Sequence, residues 1–250
     1  MCCFSGPVKH VAETSIFCRM GARGNQVVIY SMVLEAEQDL AMVLPVPVAE
    51  QRDEDSVSFI DLSLSPDFFP KLDRAFPRPK LRTSSSAPFA SALDPGKPLE
   101  VQAVGSFEAS FVPRVTDFER LDERFRLPDG VWEKLPQFAD HGFVVFKLKA
   151  GRTRVHPMAF AYPARDRTKI VFPTVHIHDG TVHPRADFDH SLYCQSESSE
   201  VRMGWQESVA LAAGYVNATR LRGSVLGDRH VYKRQIVGEF ENADVSVAAV

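Results

Sequence analysis

The stretch "QVVIYSMVLEAEQDLAMVLPVPV", residues 26–48, constrains the fold most strongly. Two strand-length runs of β-branched and apolar residues flank a polar break, and the second ends at Pro45 and Pro47. Proline cannot donate to a sheet ladder, so that strand must stop or lie at an edge there. Upstream, "SIFCRM" adds a third strand, with Gly24-Asn25 as the hairpin turn because both residues tolerate positive φ. A related pattern returns in "FVVFKLKAGRTRVHPMAFAYP": two strands about a polar turn, ending on an apolar-Pro signature. This echo suggests two similar β-rich halves.

Further strands are expected in "LEVQAVGSFEASFVPRV", "TKIVFPTVHIH", "HVYKRQIVGEF" and "ADVSVAAV". Helical signals are fewer. "SPDFFPKLDRAF" has Ser65 as cap, Pro66 at the first position, and Phe69, Leu72 and Phe76 on one face. "TDFERLDERF" places Thr116 and Glu119 as a capping box over a stripe of Phe118, Leu121 and Phe125. "DGVWEKLPQF" reads as a short helix ended by Pro136. "WQESVALAAGYVNA" reads as another helix, with Trp205, Val209 and Ala212 at core spacing and Glu207 solvated. Strands outnumber helices without regular βαβ alternation, so the expected class is α+β with mostly antiparallel sheet and a few short helices. With 250 residues, 44% of them hydrophobic, a single domain over 1–250 is expected, carrying a flexible Pro/Ser-rich loop at about 77–98.

A formal net charge of −3 gives no footprint for nucleic acid. No apolar run reaches the ~20 residues of a membrane span, and "MCCFSGPVKH" lacks the pattern of a secretory signal. The expectation is a cytoplasmic protein that engages neither nucleic acid nor membrane, with Cys2, Cys3, Cys18 and Cys194 as thiols. No Walker loop, GxGxxG or GxSxG motif occurs.

The densest chemistry lies in "TVHIHDGTVHPRADFDH", residues 174–190, which holds four of the eight histidines. On a strand His176 and His178 share one face while Val175 and Ile177 take the other. Asp179-Gly180 is a strong two-residue turn signal, and such a turn sets His183 opposite His176 with Cβ atoms about 4.5–5.5 Å apart. The expectation is a metal site on His176, His178 and His183, open to Cu, Zn or Fe, with Val182 on the apolar side. Cys3, beside Cys2, would add a soft ligand. His190 is a candidate fourth ligand or acid/base, Asp187 or Asp189 would orient a ligand ring, and Cys194, in register with His190, is a candidate thiolate ligand or redox-active thiol. His156 reads as a core or supporting histidine. Zn would activate water for hydrolysis, whereas Cu or Fe would serve an oxidoreductase on a small-molecule substrate, and the neighbouring thiols favour redox chemistry.

A second reading makes Cys2 an N-terminal nucleophile once Met1 is removed, its own amine acting as base. "MCCF" resembles the Met-Cys start of N-terminal-nucleophile glutamine amidotransferases, though the Arg and Asn-Gly pattern of such sites is missing. A third is a non-catalytic metal-binding or scaffold protein. Taken together, "MCCFSGPV", "DLAMVLPVP", "GSFEASFVP", "LDERFRLP", "FKLK", "HPMAF" and "FPTVHIHDGTVH" resemble a family of uncharacterised bacterial proteins sharing this motif order. The resemblance implies one contiguous domain and supplies no mechanism.

Overall fold

The computed structural model describes residues 3–76, 102–104, 107–178 and 180–250. In chain order the strands begin with β1 (Cys3–Phe4), β2 (His10–Met20), β3 (Asn25–Ala36), β4 (Leu40–Val46) and β5 (Ser58–Ile60). Helix α1 (Phe68–Arg74) precedes β6 (Gln102–Val104), β7 (Phe107–Val112), β8 (Gly142–Leu148), β9 (Gly151–Arg154), β10 (Met158–Pro163), β11 (Lys169–Phe172) and β12 (Arg185–Gln195). Helix α2 (Ser199–Gly204), β13 (Gln206–Glu207), β14 (Tyr232–Glu241) and β15 (Val245–Ala248) close the chain.

Two sheets carry the architecture: five strands in the order β1-β4-β8-β7-β6, and seven in the order β13-β14-β12-β2-β3-β10-β5, with β9 pairing off β3. All pairings are antiparallel except β12 with β2. The two segments that echo each other in sequence pair with one another: β3 runs against β10 in one sheet and β4 against β8 in the other. This contact joins the sheets and does not by itself make two similar halves.

The main core lies between the sheets. Residues of alternate parity from β3 (Val28, Tyr30, Met32), β4 (Met42, Leu44), β8 (Val144, Phe146), β10 (Phe160, Tyr162) and β12 (Leu192, Cys194) share it. The opposite parity is also buried. Ala41, Val43, Phe143 and Val145 pack under a layer of 3₁₀ turns, while Phe17, Ile29, Ala159 and Tyr193 pack under α1 and the 212–231 region. Burial on both faces explains why the central strands are near-continuous apolar runs rather than alternating ones.

The class is therefore mostly β, and several expected helices dissolve. Around 116–125 the chain forms 3₁₀ turns at Val115–Arg120 and Glu123–Phe125 because Arg126 donates to the carbonyls of Glu119 and Leu121. Phe118, Leu121 and Phe125 are nonetheless buried as their spacing implied. Pro136 starts a 3₁₀ turn instead of ending a helix. No helix spans 205–218: the amides of Val209, Ala212 and Ala213 donate to Ala75, Arg229 and Gly227, and Val209 is 72% exposed. Long-range partners outcompete local helix bonds there. Helix α1 begins after Asp67, two residues later than Ser65 predicts, but keeps Phe69, Leu72 and Phe76 inside. The loop expected at about 77–98 lies outside the described residues. Among the described residues no helix is long and apolar enough to cross a membrane.

Candidate functional site

The histidine segment is a clamped loop and not a hairpin. Residues 173–176 and 181–184 join no ladder, and Ile177 makes only an isolated parallel bridge to Cys3. Its backbone groups are satisfied from elsewhere. Asn242 Oδ1 accepts the His176 N–H at 2.7 Å, and Asn242 Nδ2 donates to the carbonyls of His176 and His183, each at 2.9 Å. Asp244 Oδ1 accepts the N–H groups of Thr174 at 2.8 Å and Val175 at 3.0 Å. The Thr174 hydroxyl donates to Ala243 O at 2.8 Å and accepts from Val245 N at 3.0 Å. On the other flank the Phe4 N–H donates to Ile177 O at 3.0 Å. The loop is thus inserted between the β14–β15 turn and β1. Gly180 does take the left-handed conformation, φ +74°, but the donors that a hairpin would use are already engaged, and Pro184 has none to offer.

The expected alternation of faces survives this change. Val175, Ile177 and Val182 join Cys3, Phe118 and Phe143 in the cluster beneath the 3₁₀ layer. His176 and His178 point the other way, where His190 of β12 meets them. The three imidazoles form a face-to-face column: His178–His176 centroids lie 5.2 Å apart at 14°, and His176–His190 lie 5.2 Å apart at 22°. Phenyl rings enclose the column, with Phe4 5.6 Å from His178 and Phe188 4.3 Å from His176. Burial holds His176 down to about 2 and His190 lower still, with further depression from the neighbouring imidazoles. The His176 and His190 rings are neutral, and all three rings pack as aromatics.

The expected metal centre on His176, His178 and His183 does not assemble. Among the described residues no group of three or more His, Cys, Asp or Glu is placed to hold a metal ion. His183, the expected third ligand, is exposed, and its carbonyl accepts from Asn242 Nδ2, because the hairpin that would oppose it to His176 does not form. Cys3 is buried on the far side, among the apolar partners of Ile177.

The remaining candidates scatter. His190 and Cys194 do share a face of β12, as the register implied, but Cys194 sits deep in the main core beside Cys18, its partner on β2. Burial pushes both thiols well up, the opposite of an activated nucleophile. Asp187 is exposed on the opposite face of β12 from His190. Asp189 Oδ2 accepts the N–H of Glu13 at 2.8 Å, capping the bulge where Glu13 takes φ +53°. His156 packs against Phe107 at 4.0 Å, a supporting role. Glu207 accepts the Tyr232 hydroxyl at 3.0 Å. Cys2 lies outside the described residues.

Asn242 and Asp244, which hold the loop, escape a search for chemistry because they look like an ordinary turn in "FENADVSV". The signal available was their type: Asn and Asp side chains mimic backbone hydrogen bonding. Burial pushes the Asp244 carboxyl up to about 6 in spite of its two amide donors.

No protein-family model and no curated protein matches the chain. Among solved structures it is similar to the crystal structure of baculovirus P35, with TM-score 0.51 and 12% identity over 100% of both chains. A chain in the crystal structure of the caspase-8/P35 complex gives TM-score 0.49 and 11% identity, over 95% of this chain and 96% of that one. The first likeness establishes a shared β-rich fold. The expectation of a copper, zinc or iron oxidoreductase acting on a small molecule is withdrawn on the site itself, since no group of three or more His, Cys, Asp or Glu among the described residues is placed to hold a metal ion.

Proposed function

We propose that this chain works by binding a protein and not by turning over a small molecule, with a caspase as the partner. The observation that carries this reading is the likeness to baculovirus P35 along the whole of both chains. P35 is known in complex with caspase-8. The chemistry of the described residues is consistent with it. Asn242 and Asp244 hold the histidine loop through its backbone groups, so these two polar side chains serve structure.

The test is calorimetric titration of the purified chain with active recombinant caspase-8, alongside the same protein with its partner omitted. A saturable complex tighter than about 1 μM supports the reading. No heat of binding at ~50 μM protein would refute it, since specific protein interfaces of ordinary size are populated well below that level.

A further inference from the structure

A cluster of arginines sits where β4, β8 and β10 come together. Val46 pairs with Gly142, Val112 with Phe143, and Val48 bridges to Ala164, so the segments after β4, β7 and β10 adjoin the start of β8. Arg52 Nε donates to Pro113 O at 2.7 Å and its Nη1 donates to Asp140 O at 2.7 Å. The guanidinium of Arg165 donates to the same Asp140 carbonyl and, at 3.3 Å, to Val48 O. Two cations are therefore fixed side by side on one oxygen atom. Arg114, next to Pro113, is exposed; its carbonyl accepts the Asp117 N–H at 3.0 Å, while its guanidinium makes no hydrogen bond or ion pair with a described residue.

None of the three guanidinium groups is ion-paired with a carboxylate among the described residues. Glu50 and Asp140 lie near enough to attract Arg52, yet the positive charges prevail. Arg52 is lowered by burial and then by repulsion from Arg165 and Arg114. His141, at the start of β8, is lowered to about 4 by burial and then by Arg165 and Arg52, and its Nδ1 is buried without a hydrogen-bond partner among the described residues. Burial is the larger cause at both side chains, and the neighbouring guanidinium charges add to it.

Carbonyl capping alone explains the Arg52 and Arg165 guanidinium groups but not that of Arg114, which bonds no carbonyl among the described residues. A guanidinium has five N–H donors, and the carbonyl contacts use two nitrogens each on Arg52 and Arg165. The unused edges are held in position before any ligand arrives, which lowers the cost of ordering them. We propose that Arg52, Arg114 and Arg165 form an oxyanion-binding site that takes a carboxylate or phosphate group through bidentate guanidinium contacts. The site is independent of any caspase binding.

The test titrates the full chain with sodium phosphate and, separately, sodium succinate, holding ionic strength constant with sodium chloride. The readout is the His141 imidazole signal by NMR. Saturation on the order of 1 mM, with His141 becoming easier to protonate, is expected. Arg114→Gln, which removes no folding contact, should weaken it roughly fivefold, while Arg152→Gln on β9 leaves it unchanged. Saturation with phosphate alone identifies a phosphate site, and saturation with succinate identifies a carboxylate site. No saturable change with either salt, or equal affinity in Arg114→Gln and the unsubstituted chain, overturns the proposal.

Discussion

Replacing Asn242 by alanine tests the clamp on the histidine loop directly. The side chain makes three hydrogen bonds, one accepted from His176 N at 2.7 Å and two donated to the His176 and His183 carbonyls at 2.9 Å. Each such bond contributes about 1 kcal/mol net, and a donor stranded in a buried position costs about 1–3 kcal/mol. The His176 N–H has no other partner when Asn242 goes, so Asn242→Ala should cost about 2–3 kcal/mol. With a urea m-value near ~3 kcal/mol/M for a chain of this size, the midpoint falls by about 0.7–1 M. Asn242→Asp keeps the acceptor and loses both donors, so its shift should be intermediate. Native-state hydrogen exchange adds a local readout, in which the His176 amide loses protection in Asn242→Ala. A midpoint shift below about 0.2 M, with His176 still protected, would mean that the segment forms its own ladder after all, and the clamp account would fail.

Acidification gives a second expectation. His176 is held at about 2 and His190 lower, against 6.5 in the unfolded chain, so below about 6.5 the unfolded state binds more protons. Stability is full above that pH and falls toward about 2, by up to ~1.4 kcal/mol per pH unit for each group. Asp244 opposes this, because a carboxyl raised from 3.8 to about 6 takes up a proton on folding in that window. In urea unfolding at a series of pH values, His190→Leu should flatten the acid limb and Asp244→Asn should steepen it between about pH 4 and 6; an unchanged limb in His190→Leu would contradict the neutral, buried column. Gly142→Ala probes the junction of the sheets, where a Cβ would meet Phe111 Cε2 and Cζ at 2.5 Å. It should lower the melting temperature by about 2–12 °C in a calorimetric scan, and an unshifted transition would show that the ring moves aside freely.

Much of the strand framework was legible because its signals are local. Runs such as "NQVVIYSMVLEA" and "LAMVLPV" became β3 and β4 where their composition and breaks placed them. The same holds for β8, β10, β14 and β15. The helices at 116–125 and 205–218 failed for the opposite reason. Their apolar spacing was real in part, as the burial of Phe118, Phe125, Trp205 and Ala212 shows, but their amides and carbonyls found distant partners. Periodicity reports which side of a segment is buried and cannot say where its hydrogen bonds go.

By itself the sequence determined the alternation in "TVHIH", apolar residues to one side and histidines to the other, because that follows from extended backbone whatever it pairs with. Only the tertiary structure decided what the histidines face. Asn242 and Asp244, some 66–70 positions along the chain from Thr174–His176, take up the loop's backbone groups, and His190 arrives from β12 to complete a stacked column. Local turn propensity at Gly180, worth on the order of 1 kcal/mol, was set against several long-range hydrogen bonds of about that size each, and the larger sum prevailed.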